Sequence, residues 1–185
     1  MANETQTLIQ KIALTSMVTS VSFANIPQNF TDLKIVLSAR STANTGYSGN
    51  YDQILWRFNG STSGYTSRQL YANGATAYSA TSTVNTSALA SGSWGVLTQS
   101  GISDSGATAN TFSSCDMYIP NYTSGNNKSI SWDIVEENNI TAAWREMGAM
   151  LWSNTGPINN VSFALTAGAF DVYSSFSLYG IAKAE

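Results

Sequence analysis

Beside its Tyr and Lys residues, the side chains best suited to move a proton or hold a metal ion in this chain are eleven Asp and Glu residues and a single Cys, with no His. Without an imidazole, Ser-His-Asp and Cys-His catalysis, His-ligated zinc and the commonest general base are all excluded. The material left for an enzyme is a pair of carboxylates of the glycosidase kind. Asp133, Glu136 and Glu137 in SWDIVEENN form the densest acidic group. Read as a strand, that segment puts Asp133 and Glu137 on one face and Glu136 on the face of Trp132. A solvated strand end carrying surface charge explains the group without chemistry, so no catalytic residue is assigned. The stretch SDSG at Ser103–Gly106 is the nearest approach to a calcium loop, but it lacks the alternating ligands and terminal Glu of an EF-hand. No GK[ST] or GxGxxG phosphate loop is present. No metal and no cofactor is expected.

Aromatic residues offer a different chemistry. Tyr47, Tyr51, Tyr65, Tyr71, Tyr78, Tyr122 and Trp94 fall in or beside segments that read as loops. Rings next to Asn and Asp can stack on the apolar faces of sugars while amides and carboxylates meet the hydroxyls. Tyr47, Tyr51, Tyr65 and Tyr122 are therefore the candidate glycan contacts. The competing reading is that these rings pack loops onto the body of the protein or form subunit contacts.

The elements that must position these groups are strands. Val21 and Phe23; Leu33, Ile35 and Leu37; Ile54, Trp56 and Phe58; Cys115, Met117 and Ile119; Ile130, Trp132 and Ile134; Val161, Phe163 and Leu165; and Phe176 and Leu178 all recur with period two. Asn59-Gly60 signals a turn after the third of these, and Pro120 should end the fourth. ITAAWREMGAMLWSN is ambiguous, because Ile140, Trp144, Met147 and Leu151 also fit one helix face. The all-β surroundings and the cost of Gly148 inside a helix, about 1 kcal/mol, favour a strand. It would carry Arg145, Met147, Ala149 and Leu151 on one side and Trp144, Glu146, Gly148, Met150 and Trp152 on the other. The weakly patterned stretch from Tyr71 to Asn110 reads as short strands and ordered loops. Nine to eleven strands and no alternating helices imply an all-β fold. The expected architecture is an antiparallel two-sheet β-sandwich, jelly-roll-like, in a single domain over residues 1–185.

Only 10% of the 185 residues are charged, against roughly 25% in ordinary soluble proteins, and the net charge is −3. Polarity comes instead from 27 Ser, 20 Thr and 17 Asn. Eight scattered cations give no patch for phosphate, so nucleic acid is not an expected partner. Cys115 has no partner for an internal disulfide. The N-terminus lacks the pattern of a secretory signal and no stretch is apolar enough to span a membrane, so neither export nor membrane attachment is expected. With no His to titrate, little pH dependence of folding is expected either.

Six blocks in order, FANIPQNFTDLKIVLSARS, LWRFNG, TSRQLYANG, NTFSSCDMYIPNYTSGNNKSISWDIVEENN, LWSNTGPINNVSF and SFSLYGIAK, cover most of the chain. In them the chain resembles a group of tailed-phage virion proteins, common in cyanophages, that are labelled minor structural, head decoration or tail fibre-like proteins. The resemblance implies a non-enzymatic protein assembled in the host cytoplasm and exposed on the virion exterior. One sandwich without fibrous repeats suits a capsid decoration, or cement, protein, which would sit as a homo-trimer on the head and contact the major capsid protein. In that setting a short polar arm over residues 1–8, with Asn3, Glu4, Thr5, Gln6, Thr7 and Leu8, is the candidate capsid contact. The alternative is a tail fibre or spike tip that binds a host-surface glycan through the tyrosines named above.

Overall fold

Alternation along the chain decides which face each strand buries, and in the computed structural model, which describes residues 5–82 and 94–182, it does so in twelve strands. They are β1 (Gln6–Ala13), β2 (Ser20–Phe23), β3 (Asp32–Ala39), β4 (Tyr51–Phe58), β5 (Tyr65–Ala72), β6 (Ala77–Ser82), β7 (Val96–Ser103), β8 (Ser113–Ile119), β9 (Lys128–Glu136), β10 (Trp144–Trp152), β11 (Val161–Leu165) and β12 (Ser175–Ile181). All pairings are antiparallel, in an eight-stranded sheet ordered β1-β12-β3-β8-β9-β10-β5-β6 and a four-stranded sheet ordered β2-β11-β4-β7.

Leave out β5, β6, β9 and β10, and the remaining eight strands pair first with eighth, second with seventh, third with sixth and fourth with fifth. That is a long antiparallel hairpin wrapped on itself, the pairing of a jelly roll. The four omitted strands form two hairpins, β5–β6 and β9–β10, that extend the larger sheet beyond β8. The segment with mixed helix and strand character is therefore a strand, and its two faces divide as its period-two reading requires. Gly148 is needed there: an added Cβ would stand 2.0 Å from the Trp132 ring, which lies across the strand at that point. A helix would have gained from Ala; this sheet cannot accept it.

Leu33, Ile35, Leu37, Met117, Ile130, Trp132, Ile134 and Leu178 from the large sheet meet Ile54, Trp56, Phe58, Val161, Phe163 and Leu165 from the small one. Trp56 meets Trp132 edge to face between the sheets, with ring centroids 5.0 Å apart. The small sheet's outer face carries a second cluster of Leu55, Trp94 and Ala164, with the Arg57 guanidinium 4.4 Å above the Trp94 ring.

The N-terminal residues differ from the expected arm. Gln6, Thr7 and Leu8 open β1, paired with Ile181, Gly180 and Tyr179 of β12, and the Thr5 carbonyl accepts from the Ala182 amide at 3.1 Å. The register shifts between Leu8 and Gln10, so Ile9 and Ile12 both lean on the core although they are three apart. This bulge breaks the period-two signal in QTLIQKIA.

Candidate functional site

Loop 43–50, between β3 and β4, lies against the turn and strand that follow β9 at one end of the sandwich. Asp104 organises it from inside: its carboxylate accepts from the Thr45 amide and hydroxyl, both at 2.8 Å, and from the Gly106 amide at 2.7 Å. The tight turn needs left-handed backbone at Gly46 (φ 68°), Gly49 (φ 107°) and Asn50 (φ 52°). Trp144 lies directly against Gly49, where an added Cβ would stand 2.3 Å from the indole nitrogen. That nitrogen donates to the Ser48 carbonyl at 2.8 Å. The Asn138 side-chain amide donates to the Gly49 carbonyl at 2.9 Å and to Glu136, and Glu136 accepts the Trp144 amide at 3.1 Å.

Held in this way, five rings form a continuous row. Tyr47 contacts Tyr51 (centroids 5.2 Å apart), Tyr51 meets Trp144 edge-on (5.8 Å), and Trp144 leans on Tyr71 (5.7 Å) and Tyr78 (6.0 Å), which stack on each other. The ends of the row are the most open, with Tyr47 46% and Tyr78 41% exposed. Burial, with Tyr47 and Tyr71 beside it, pushes the Tyr51 phenol above its ordinary value, so it stays a neutral donor.

Of the four tyrosines expected to contact a glycan, the structure brings together Tyr47 and Tyr51 only. Tyr65 and Tyr122 are core residues. Tyr65 begins β5, stacks on Trp152 and accepts the Phe58 amide at 2.9 Å; Tyr122 is fully buried and donates to the Pro27 carbonyl. Their rings face inward because each polar tip finds a backbone partner next to the core. Tyr71, Tyr78 and Trp144 complete the row in their place. A signal for the tyrosines was present in YANGATAY, where Asn73-Gly74 marks a hairpin that sets Tyr71 opposite Tyr78. Trp144 gives no such signal, since its place depends on a pairing with Glu136 across β9 and β10.

The acidic group does not converge. Asp133 faces outward and pairs with Arg145 at 2.9 Å, while exposed Glu137 accepts the Asn139 amide. Glu136 is not at a solvated strand end: it is fully buried, and that burial pushes its carboxyl up to about 8. Its neighbour in the interior is Glu146, one strand over. Between Gln53 and Leu55 the β4–β7 register slips, and the Gln99 and Ser100 amides that lose their ladder partners donate to Glu146 at 2.8 and 2.7 Å. The Trp132 indole donates to the same carboxylate at 2.9 Å. Both glutamates thus hold the backbone together. Among the described residues, no three side chains of metal-ligating type come together.

Thr5, Gln6 and Leu8 are exposed and Thr7 half-buried along the β1 edge, while Asn3 and Glu4 lie outside the described residues. No known family model matches the chain, and no match appears among curated proteins.

Proposed function

We propose that this chain is a non-enzymatic virion protein that fastens to the outer surface of a tailed-phage head, with the major capsid protein as its partner. The observation that carries this reading is the outer face of the eight-stranded sheet, on which no other strand of the described residues packs. Across β5, β10 and β8 that face exposes Leu70 (58%), Met147 (50%), Leu151 and Tyr118. Arg68, Leu70, Ala80, Thr81, Met147 and Ala149 line a groove of about 630 Å³ along it. Charged residues flank this apolar strip as the pairs Lys34–Asp116 (3.5 Å) and Arg145–Asp133 (2.9 Å). An apolar centre with a polar rim suits adhesion to another protein, and monomers rarely leave such a face open. Shell subunits bridged by this contact separate only if it also breaks, so bound protein would stabilise the head by mass action. The partner and the trimeric arrangement are proposed from the resemblance of the ordered blocks to phage virion proteins.

The test is co-sedimentation of the purified protein with heads that lack it. Wild type should pellet with the heads, and a Leu70→Asp, Met147→Asp double variant should stay in the supernatant with unchanged thermal unfolding. If wild type fails to pellet, the reading is wrong; if the double variant pellets like wild type, the contact lies elsewhere. A Leu8→Asp variant asks whether the β1 edge contributes. It is a cleaner probe than deleting residues 1–8, which would remove part of a paired strand.

A further inference from the structure

We infer that the aromatic row Tyr47–Tyr51–Trp144–Tyr71–Tyr78 is a binding site for neutral oligosaccharides, adjoining the head-binding face at Leu70 and Met147. Three observations converge on that ligand. First, the rings are fixed before any ligand arrives: Trp144 is held by its amide, its indole nitrogen and its contact with Gly49, and Tyr47 and Tyr51 flank the turn anchored by Asp104. Little side-chain freedom remains to be lost on binding, which is where flexible surface aromatics forfeit affinity.

Second, among the described residues the hydroxyls of Tyr47, Tyr51, Tyr71 and Tyr78 have no hydrogen-bond partner in the protein, in contrast with those of Tyr65, Tyr118 and Tyr122, which all do. A row of ring surfaces edged with free phenols matches a molecule whose CH faces are apolar and whose rim is hydroxyl. An aliphatic side chain would leave those phenols unanswered.

Third, the surroundings carry almost no free charge. Arg145 borders the groove of about 240 Å³ beside Tyr71 and Tyr78, but its guanidinium is engaged by Asp133; Glu136 and Asp104 are buried beneath the row with their oxygens bonded inward. This favours a neutral ligand over an anionic or cationic one. Successive centroid steps of 5.2, 5.8 and 5.7 Å make the row several rings long, so it suits a chain of sugar units better than a single one.

The experiment is titration calorimetry of the full chain against maltohexaose, cellohexaose and mannohexaose, with a sulfated and a uronic-acid oligosaccharide as charged comparisons. At least one neutral hexasaccharide should bind, and Tyr47→Ala and Tyr78→Ala should each weaken it about tenfold while unfolding at the wild-type temperature. A Leu151→Asp variant, on the head-binding face but outside the groove beside Tyr71 and Tyr78, should bind sugar normally, which keeps this site's failure distinct from that of the head-binding face. Silence with all three neutral sugars, binding of the charged sugars alone, or affinity unaltered by both alanine substitutions would overturn the assignment.

Discussion

Two groups of five aromatic residues occupy this molecule, and they differ less in composition than in the fate of their polar tips. In the core, Trp56, Phe58, Tyr65, Trp132 and Trp152 pack between the sheets. The Trp132 indole is bonded to Glu146, the Trp56 indole points at the Met150 sulfur at 3.3 Å, and the Tyr65 hydroxyl takes the Phe58 amide. Burial pushes the Tyr65 phenol up to about 12. At the end of the sandwich, Tyr47, Tyr51, Tyr71, Tyr78 and Trp144 touch one another just as closely. There only the Trp144 indole is committed inward, the Tyr47 and Tyr78 phenols are exposed, and Tyr51 and Tyr71 are half-buried between them. The polar scaffolding is parallel too, with Glu146 serving the core group and Glu136 the end group. The difference teaches that ring contacts alone do not define a core. An aromatic cluster stabilises the fold in proportion to the area it removes from water, and the end group keeps much of its area wet.

The sharpest way to break this comparison is to remove one ring from each group. Trp152 is essentially fully buried against Phe58 and Tyr65, so Trp152→Ala should cost about 4 kcal/mol in urea denaturation. Tyr78→Ala, on an edge strand with the residue 41% exposed, should cost under about 1 kcal/mol. Equal losses at the two sites would mean that the end group is core after all.

The sequence shows the core group far more clearly than the end group, for reasons visible in single strands. The middles of β8 and β9 set Cys115, Met117 and Ile119, and Ile130, Trp132 and Ile134, at alternate positions, and so betray both their type and their inward faces. β5 buries Tyr65, Ser67 and Gln69, and a strand whose hidden face is polar has no hydrophobic period to find. Tyr65 consequently reads as a loop residue although it packs in the core. The row also depends on pairings between β5, β6 and β10 and on a loop fixed by Asp104, contacts made across 59 residues of chain in the case of Thr45. Local pattern cannot carry such information. Likewise the acidity of Glu136 is set by its surroundings, so a chain without His still acquires a group that titrates near neutral pH.

That glutamate gives the second test, because its protonation links the end group to stability. An exposed Glu ionises at about 4.3 and the folded Glu136 at about 8. Below the lower value both states are protonated and the group is silent. Between the two, the unfolded chain has released a proton that the folded chain retains, so stability falls as pH rises; above about 8 both are ionised and the loss is complete. Urea denaturation from pH 4 to 9 should therefore show a decline of about 5 kcal/mol from this group that Glu136→Gln removes, leaving whatever Glu146, whose carboxyl burial also raises, contributes. A wild-type curve that is flat or rises over this range would show that the carboxylate is charged throughout.

The smallest of the three effects sharpens the comparison most, since it separates the shape of the end group from its content. Gly49→Ala leaves every aromatic ring in place, yet the new methyl would meet the Trp144 indole and the Ala142 carbonyl at 2.3 and 2.5 Å, on a residue whose φ of 107° suits glycine. Backbone strain of this kind costs about 2 kcal/mol when the surroundings hold firm, and less if Trp144 swings away. Trp144 is the half-exposed tryptophan, whereas Trp56, Trp94, Trp132 and Trp152 are buried, so acrylamide quenching reads its position with little interference. The expected result is a modest loss of stability with a clear rise in quenching. Stability lost with quenching unchanged would show that the row does not depend on the turn beneath it, and the pre-organisation argued for the end group would fail while the core group stood as described.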